Sequence, residues 1–322
     1  MADCRELLGR AEAGSGNADR AIDYLKQALT TSSEAARPEI LIELGNLLAP
    51  VNQTGESERY LDEALRLVSP NSDSNSLILR GETYLALANL YAMQGQSAKA
   101  IKTYAQAIDN FKIGSQNDMV IAKIRALNGL ALELRDTDID SARARVFESA
   151  NLTDRYIDTA FSQLSFAEQC AFLQVANEER SALMTVCGET PYLPEAYKYV
   201  AKWRGLLIES LRRQAAIDAA VEKDSKLKSL ADDLTDKRRK LSTLSRQNAD
   251  DGSREVYKHA EHEVEQAEDL LAGAADVWVS DPISGMGTAA ICAKLKPDEA
   301  FVDIVYLRGS KSRPERVAAV VL

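Results

Sequence analysis

The side chains that could do chemistry in this sequence fall into a few sets. Arg10, Asn46 and Asn89 each follow a small residue (Gly9, Gly45, Ala88) in an otherwise apolar stretch, as Leu132 follows Ala131; Glu39, Glu82, Arg125 and Asn128 stand nearby. A carboxamide both donates and accepts, so asparagines on an open face can bond the N–H and C=O of an extended peptide whatever its sequence. His259 and His262 with Glu263 sit at i, i+3 and i+4. Two imidazoles on one exposed helix are too few for a structural metal site, so solvated positions and no bound metal are expected. Cys4, Cys170, Cys187 and Cys292 form neither a CxxC pair nor a disulfide framework. They read as buried thiols in a reducing cytoplasm. Lys237–Lys240 is a basic run within a strongly charged stretch and reads as a solvated face. Gly285 and Gly287 are too close together, with no strand before them, to make a phosphate loop.

The bulk composition narrows the function classes. The chain has 322 residues, 45% hydrophobic and 27% charged, which suits a continuous apolar core. A net charge of −10 and a pI near 5.0 argue against nucleic acid as the main partner, since phosphate binding needs a positive surface. The opening MADCRELLGR carries charges where a signal peptide needs an apolar run, and no stretch is apolar enough to span a bilayer. No membrane and no small-molecule cofactor are expected.

The polar positions of the first set must be held by helices that cross closely. In 81–108, Tyr84, Leu87, Ala88 and Tyr91 form one apolar stripe at helical spacing. A Gln-Gly-Gln break follows, and Ala100, Tyr104 and Ala107 form a second stripe. Small residues let antiparallel helices approach, and large ones fill the space beside them. The pattern recurs. Leu8-Gly9 is followed by Ala21, Leu25 and Ala28, with Gly16 near the turn. Leu44-Gly45 is followed by Ser57, Leu61 and Ala64, with Gly55 near the turn and Pro70 beyond the second helix. A weaker copy has Leu127, Leu130, Ala131 and Leu134, then Ala142 and Val146, with a turn one residue shorter. The crossing residue advances by 36, 43 and 43 residues, from Gly9 to Gly45, Ala88 and Ala131. This array resembles tetratricopeptide repeats (TPRs), stacked helical hairpins whose first helices line a concave groove. The resemblance places Arg10, Asn46, Asn89 and Leu132 on that groove.

The array occupies residues 1–150 as about four repeats, beginning without a polar capping helix. Residues 151–221 stay helical outside the repeat, with Ser165 and Glu168 spaced as a capping box and a buried face at Ala196, Tyr199, Val200, Trp203, Leu206 and Leu207. Residues 222–280 read as an antiparallel coiled-coil hairpin. Leu227, Leu230, Leu234, Leu241 and Leu244 form its outgoing seam; Val256, Ala260, Glu263, Ala267 and Leu270 form the returning one. Residues 281–322 hold a linker, a short helix at 288–295 and two β-type runs, Phe301–Tyr306 and Val317–Leu322, which read as a hairpin. Two strands and one helix cannot bury a core, so this last region is expected to be an incomplete domain.

This order of parts resembles proteins in which TPRs precede a CHAT domain, a caspase-like and separase-like peptidase fold. FSQLSFAEQCAFL is similar to the helix after the repeats, AYKYVAKWRGLLIESLRRQ to the one that follows, and the charged hairpin to the spacer. AAICAKLKPDEAFVDIVYL with VAAVVL resembles the first helix and first two strands of the CHAT fold. The family's catalytic pair is a histidine and a later cysteine, each ending a central strand. Here both histidines precede the first strand, and Cys292 lies in the helix before it. A Cys–His dyad needs the base within hydrogen-bond reach of the sulfur, so this stretch has no expected catalytic residue.

The expected fold is mainly α: a TPR-like solenoid, a helical coiled-coil hairpin, and the first helix and β-hairpin of an α/β CHAT domain. The expected role is a scaffold and sensor that binds a protein or peptide in the concave groove and regulates a caspase-like protease domain beyond Leu322. The alternative is a free-standing TPR adaptor without protease activity.

Overall fold

The computed structural model describes residues 2–14, 16–68, 74–111, 117–159, 166–188, 190–246, 251–274, 302–307 and 316–321. Among them the chain forms α1 (Ala2–Gly14), α2 (Ala18–Thr31), α3 (Arg37–Leu48), α4 (Thr54–Leu67), α5 (Ser74–Met93), α6 (Ser97–Asn110) and α7 (Asn117–Leu134). There follow α8 (Ile139–Thr159), α9 (Phe166–Cys187), α10 (Leu193–Val221), α11 (Ser225–Arg246), α12 (Asp251–Ala274), β1 (Val302–Leu307) and β2 (Arg316–Val321). They group into two compact units: Met1–Glu133 with Leu244–Lys258, and Leu134–Thr243 with His259–Leu322.

In the first unit α1 pairs with α2, α3 with α4 and α5 with α6. The small crossing residues explain the pairing. A Cβ added to Gly9 would stand 2.7 Å from Leu25 Cγ, and one added to Gly45 2.5 Å from Leu61 Cγ, so each leucine occupies the space that glycine leaves. Ala21, Leu25, Ala28, Leu44, Ala64, Ala88, Ala100 and Ala107 are completely buried, which accounts for their fixed spacing in the sequence. Ser57, in the place Ala21 and Ala100 take elsewhere, is buried because its hydroxyl donates to the Gly45 carbonyl at 2.7 Å. One core joins the first two hairpins: Ile22, Leu25 and Ala28 of α2 pack with Ile40, Leu41, Leu44 and Leu48 of α3 and with Tyr60 and Ala64 of α4.

The first three hairpins turn by the same device. Gly16, Asn52 and Gly95 have φ of +81°, +61° and +70°. The residue after each donates its N–H five positions back, Asn17 to Glu12, Gln53 to Leu48 and Gln96 to Tyr91, as in a Schellman helix end. Gly16 and Gly95 therefore mark turns as expected. Gly55 does not: it lies inside α4, and Asn52 takes the left-handed position instead, being the non-glycine residue that tolerates it best. The fourth turn differs, since Thr137 and Asp138 both donate to the Leu134 carbonyl, and the Asp138 carboxylate caps α8 by accepting from the Ser141 N–H at 3.1 Å.

In the second unit α8 runs unbroken through residue 150 to Thr159 and packs against α9, which packs against α10. Tyr156 stacks on Phe172 at 4.7 Å, and Tyr199 lies between Phe147 and Trp203. Ile217 of α10, Leu227 and Leu234 of α11, and Val264, Ala267 and Leu271 of α12 share a core. This corrects the returning seam read from the sequence: Val256 and Leu270 are exposed, and Ala260, Val264, Ala267 and Leu271 are buried. The buried set steps by four, three and four, the period of an ordinary helix face. Leu241 and Leu244 lie outside the residues whose side chains are described. β1 and β2 pair antiparallel, with Val302 opposite Val321 and Leu307 opposite Arg316, and β1 runs beside α9. Ser165, the segment 281–287 and the short helix expected at 288–295 lie outside the described residues.

Candidate functional site

The polar residues singled out in the first unit stand on α1, α3, α5 and α7, the first helix of each repeat expected from the sequence. Asn46 and Asn89 are exposed, each directly after a buried crossing position. The Tyr104 hydroxyl donates to Asn89 Oδ1 at 2.7 Å. That bond fixes the carboxamide, so what Asn89 offers a partner is its amide N–H pair. Among the described residues Asn46 is fixed by no such neighbour. Glu82 is half-buried and Arg125 exposed. Asn128, expected beside them on the open face, is buried at 7% exposure and is not presented to a partner. From Leu127 to Ala131 the apolar face of α7 is wide enough to enclose it.

Arg10 is not simply open either. Its guanidinium lies 2.9 Å from Glu6, 3.7 Å from Glu39 and 2.5 Å from Glu43. Glu39 thus meets Arg10 as one helix row meets the next, whereas Glu6 and Glu43 were not anticipated. Nor were two further links between repeats: the Tyr91 hydroxyl on Glu58 at 3.1 Å, and Lys26 on Glu56 at 2.9 Å. Burial, helped by the Glu58 carboxylate, pushes the Tyr91 phenol up to about 12, so it stays a donor at any physiological pH.

Residues 37–113 match the tetratricopeptide repeat family, from the start of α3 to just beyond α6. Residues 37–113 carry tetratricopeptide repeats. No curated protein matches the sequence at a significant level. TPRs generally mediate protein–protein interaction, and the exposed asparagines of this chain stand on the helices of the matched repeats.

Among the described residues of the second unit, the other candidate groups take ordinary structural positions. His259 Nδ1 is 3.6 Å from Glu263, His262 Nε2 is 2.8 Å from Gln266, and the described residues hold no group of three His, Cys, Asp or Glu placed to bind one metal ion. Lys237 pairs with Asp233, Arg239 with Asp236 at 2.7 Å, and Lys240 with Glu263 of α12 at 2.8 Å. The basic run is therefore matched by acids on its own hairpin. The Cys187 thiol is buried, which pushes it up to about 12 and keeps it protonated, the opposite of an activated nucleophile. No helix among the described residues is long and apolar enough to cross a membrane.

Proposed function

We propose that the odd-numbered helices of the TPR array form a concave groove that captures an extended protein segment through its backbone. One observation carries this reading: Asn46 and Asn89 occupy the same place in consecutive repeats, each exposed beside a buried crossing residue. Exposed carboxamides recurring at repeat spacing can bond successive peptide groups of a bound chain. Arg125 adds a cation further along the array.

The finer reading comes from the likeness of the later segments to a TPR–CHAT protein. In it, α11 and α12 relay partner capture to a caspase-like domain for which this chain is scaffold and sensor. The order of parts and the pairing of β1 with β2 support it. The alternative, an adaptor without protease, differs in what the native polypeptide contains.

One experiment reads both. Protein tagged at its own locus is purified beside an Asn46→Lys, Asn89→Lys, Arg125→Glu variant. Co-purifying protein should be lost from the variant while its helical content stays unchanged; undiminished recovery overturns the groove. The bait's intact mass is taken from the same eluate. A mass well above 35.3 kDa, with the extra sequence carrying a His and a Cys on strand ends, is expected for the sensor of a protease. A mass of 35.3 kDa plus that of the tag overturns that reading in favour of the adaptor.

A further inference from the structure

The contact between α1 and α3 has an unusual charge balance. Arg10 faces Glu6 of its own helix and Glu39 and Glu43 of α3, so one cation meets three carboxylates. Glu6 is almost fully buried, and among the described residues Oε2 of Glu43 is buried without a hydrogen bond while Oε1 accepts from Arg10 Nε. The charged groups that act on Glu43 are Arg10 and Glu6 from α1 and Glu39 from its own helix. Among the described residues α2, α4 and α5, which also pack against α3, bring no charge that shifts it.

A buried carboxylate oxygen without a donor is costly, and two further carboxylates on the same guanidinium leave it undercompensated. A proton on Oε2 removes one of the three negative charges and leaves the Arg10–Oε1 bond in place. We propose that the α1–α3 contact is a proton-operated clasp, closed when Glu43 is protonated and weakened when it ionises. Burial pushes this carboxyl up to about 7, against the opposing pull of Arg10. With the folded value raised above the unfolded one, the stabilisation is fully present below the ordinary carboxylate range and is lost as pH rises through about 7. The first repeat is then held more tightly in mildly acidic than in mildly alkaline solution. This inference stands apart from the groove reading, since it concerns the joint between repeats and not a ligand.

The test uses the purified full chain at about pH 6 and about pH 8, where ionisation of one such group changes opening roughly tenfold. Amide exchange in α1, normalised to the unfolded-peptide rate at each pH, should rise by about that factor at the higher pH. Glu43→Gln should abolish the rise and be the more stable protein at about pH 8, although it removes one partner of an ion pair. Glu39→Gln, which withdraws one negative charge, should move the transition to lower pH. A Glu43→Gln protein that keeps the same pH dependence, or is less stable than wild type at the higher pH, overturns the clasp. Should that variant fail to fold, carbon NMR of the Glu43 carboxyl in the wild type decides. Titration near 7 supports the clasp, and titration in the ordinary carboxylate range overturns it.

Discussion

Gly129→Ala is expected to destabilise the repeat array, although alanine is the better helix former. A Cβ at this position of α7 would lie 2.3 Å from Cζ, 2.4 Å from Cε1 and 2.6 Å from Oη of Tyr104. The ring cannot easily retreat: it is 3% exposed, and its hydroxyl is bonded to Asn89. Either α7 moves away from α6 or the Tyr104–Asn89 bond breaks. Overpacking of this kind costs ~1–3 kcal/mol and the lost bond ~1 kcal/mol, against ~1 kcal/mol gained in helix propensity. A net loss of ~1–3 kcal/mol in urea unfolding is therefore expected. Gly273→Ala in α12, where the added methyl meets nothing within 4 Å, is the control and should be neutral or slightly stabilising. Equal behaviour of the two variants would show that α6 and α7 are not in this contact.

The second expectation concerns the crossing within a hairpin. Gly45→Ala places a methyl 2.5 Å from both Cγ and Cδ2 of Leu61, a side chain 1% exposed, and should cost ~1–3 kcal/mol. Leu61→Ala leaves a cavity and should cost ~2–5 kcal/mol. Together they should cost less than the sum, because the methyl added at 45 enters the space vacated at 61. Strict additivity in urea titrations would mean that the two residues do not share that volume. The carbonyl of residue 45 keeps its bond from Ser57 in both backgrounds, so the cycle reads packing and not a lost hydrogen bond.

These two glycines also separate what the sequence discloses from what it hides. Gly45 and Leu61 are 16 residues apart, as are Gly9 and Leu25, and Ala88 and Tyr104. A contact within one hairpin repeats with the hairpin, so its residues stand out as a pattern. Gly129 touches Tyr104 of the preceding repeat, and Arg10 meets Glu43 of the following one. Contacts between repeats use a different pair at each joint, and no periodicity announces them. A lone glycine inside α7 was the available signal for the first. The turn at Asn52 escaped because Gly55 stood three residues away with the usual turn residue, and of the α12 seam Ala260 and Ala267 were legible while Val264 and Leu271 were each missed by one residue. The exposure of Asn46 and Asn89 on α3 and α5 was legible from repeat position. The burial of Asn128, the bond that orients Asn89 and the carboxylates around Arg10 depend on neighbours in other helices.

The claim that the odd-numbered helices bind protein is tested most directly by photocrosslinking. A photoreactive phenylalanine analogue is placed at the exposed Asn46 of α3 or Asn89 of α5, the proposed inner positions, and at the exposed Arg66 of α4 or Lys102 of α6, the proposed outer ones. After irradiation in the native cell, both inner positions should join to neighbouring segments of one protein, with that segment extended and the outer positions unlinked. Crosslinks of equal yield from Arg66 and Lys102, or none from Asn46 and Asn89, would contradict the groove.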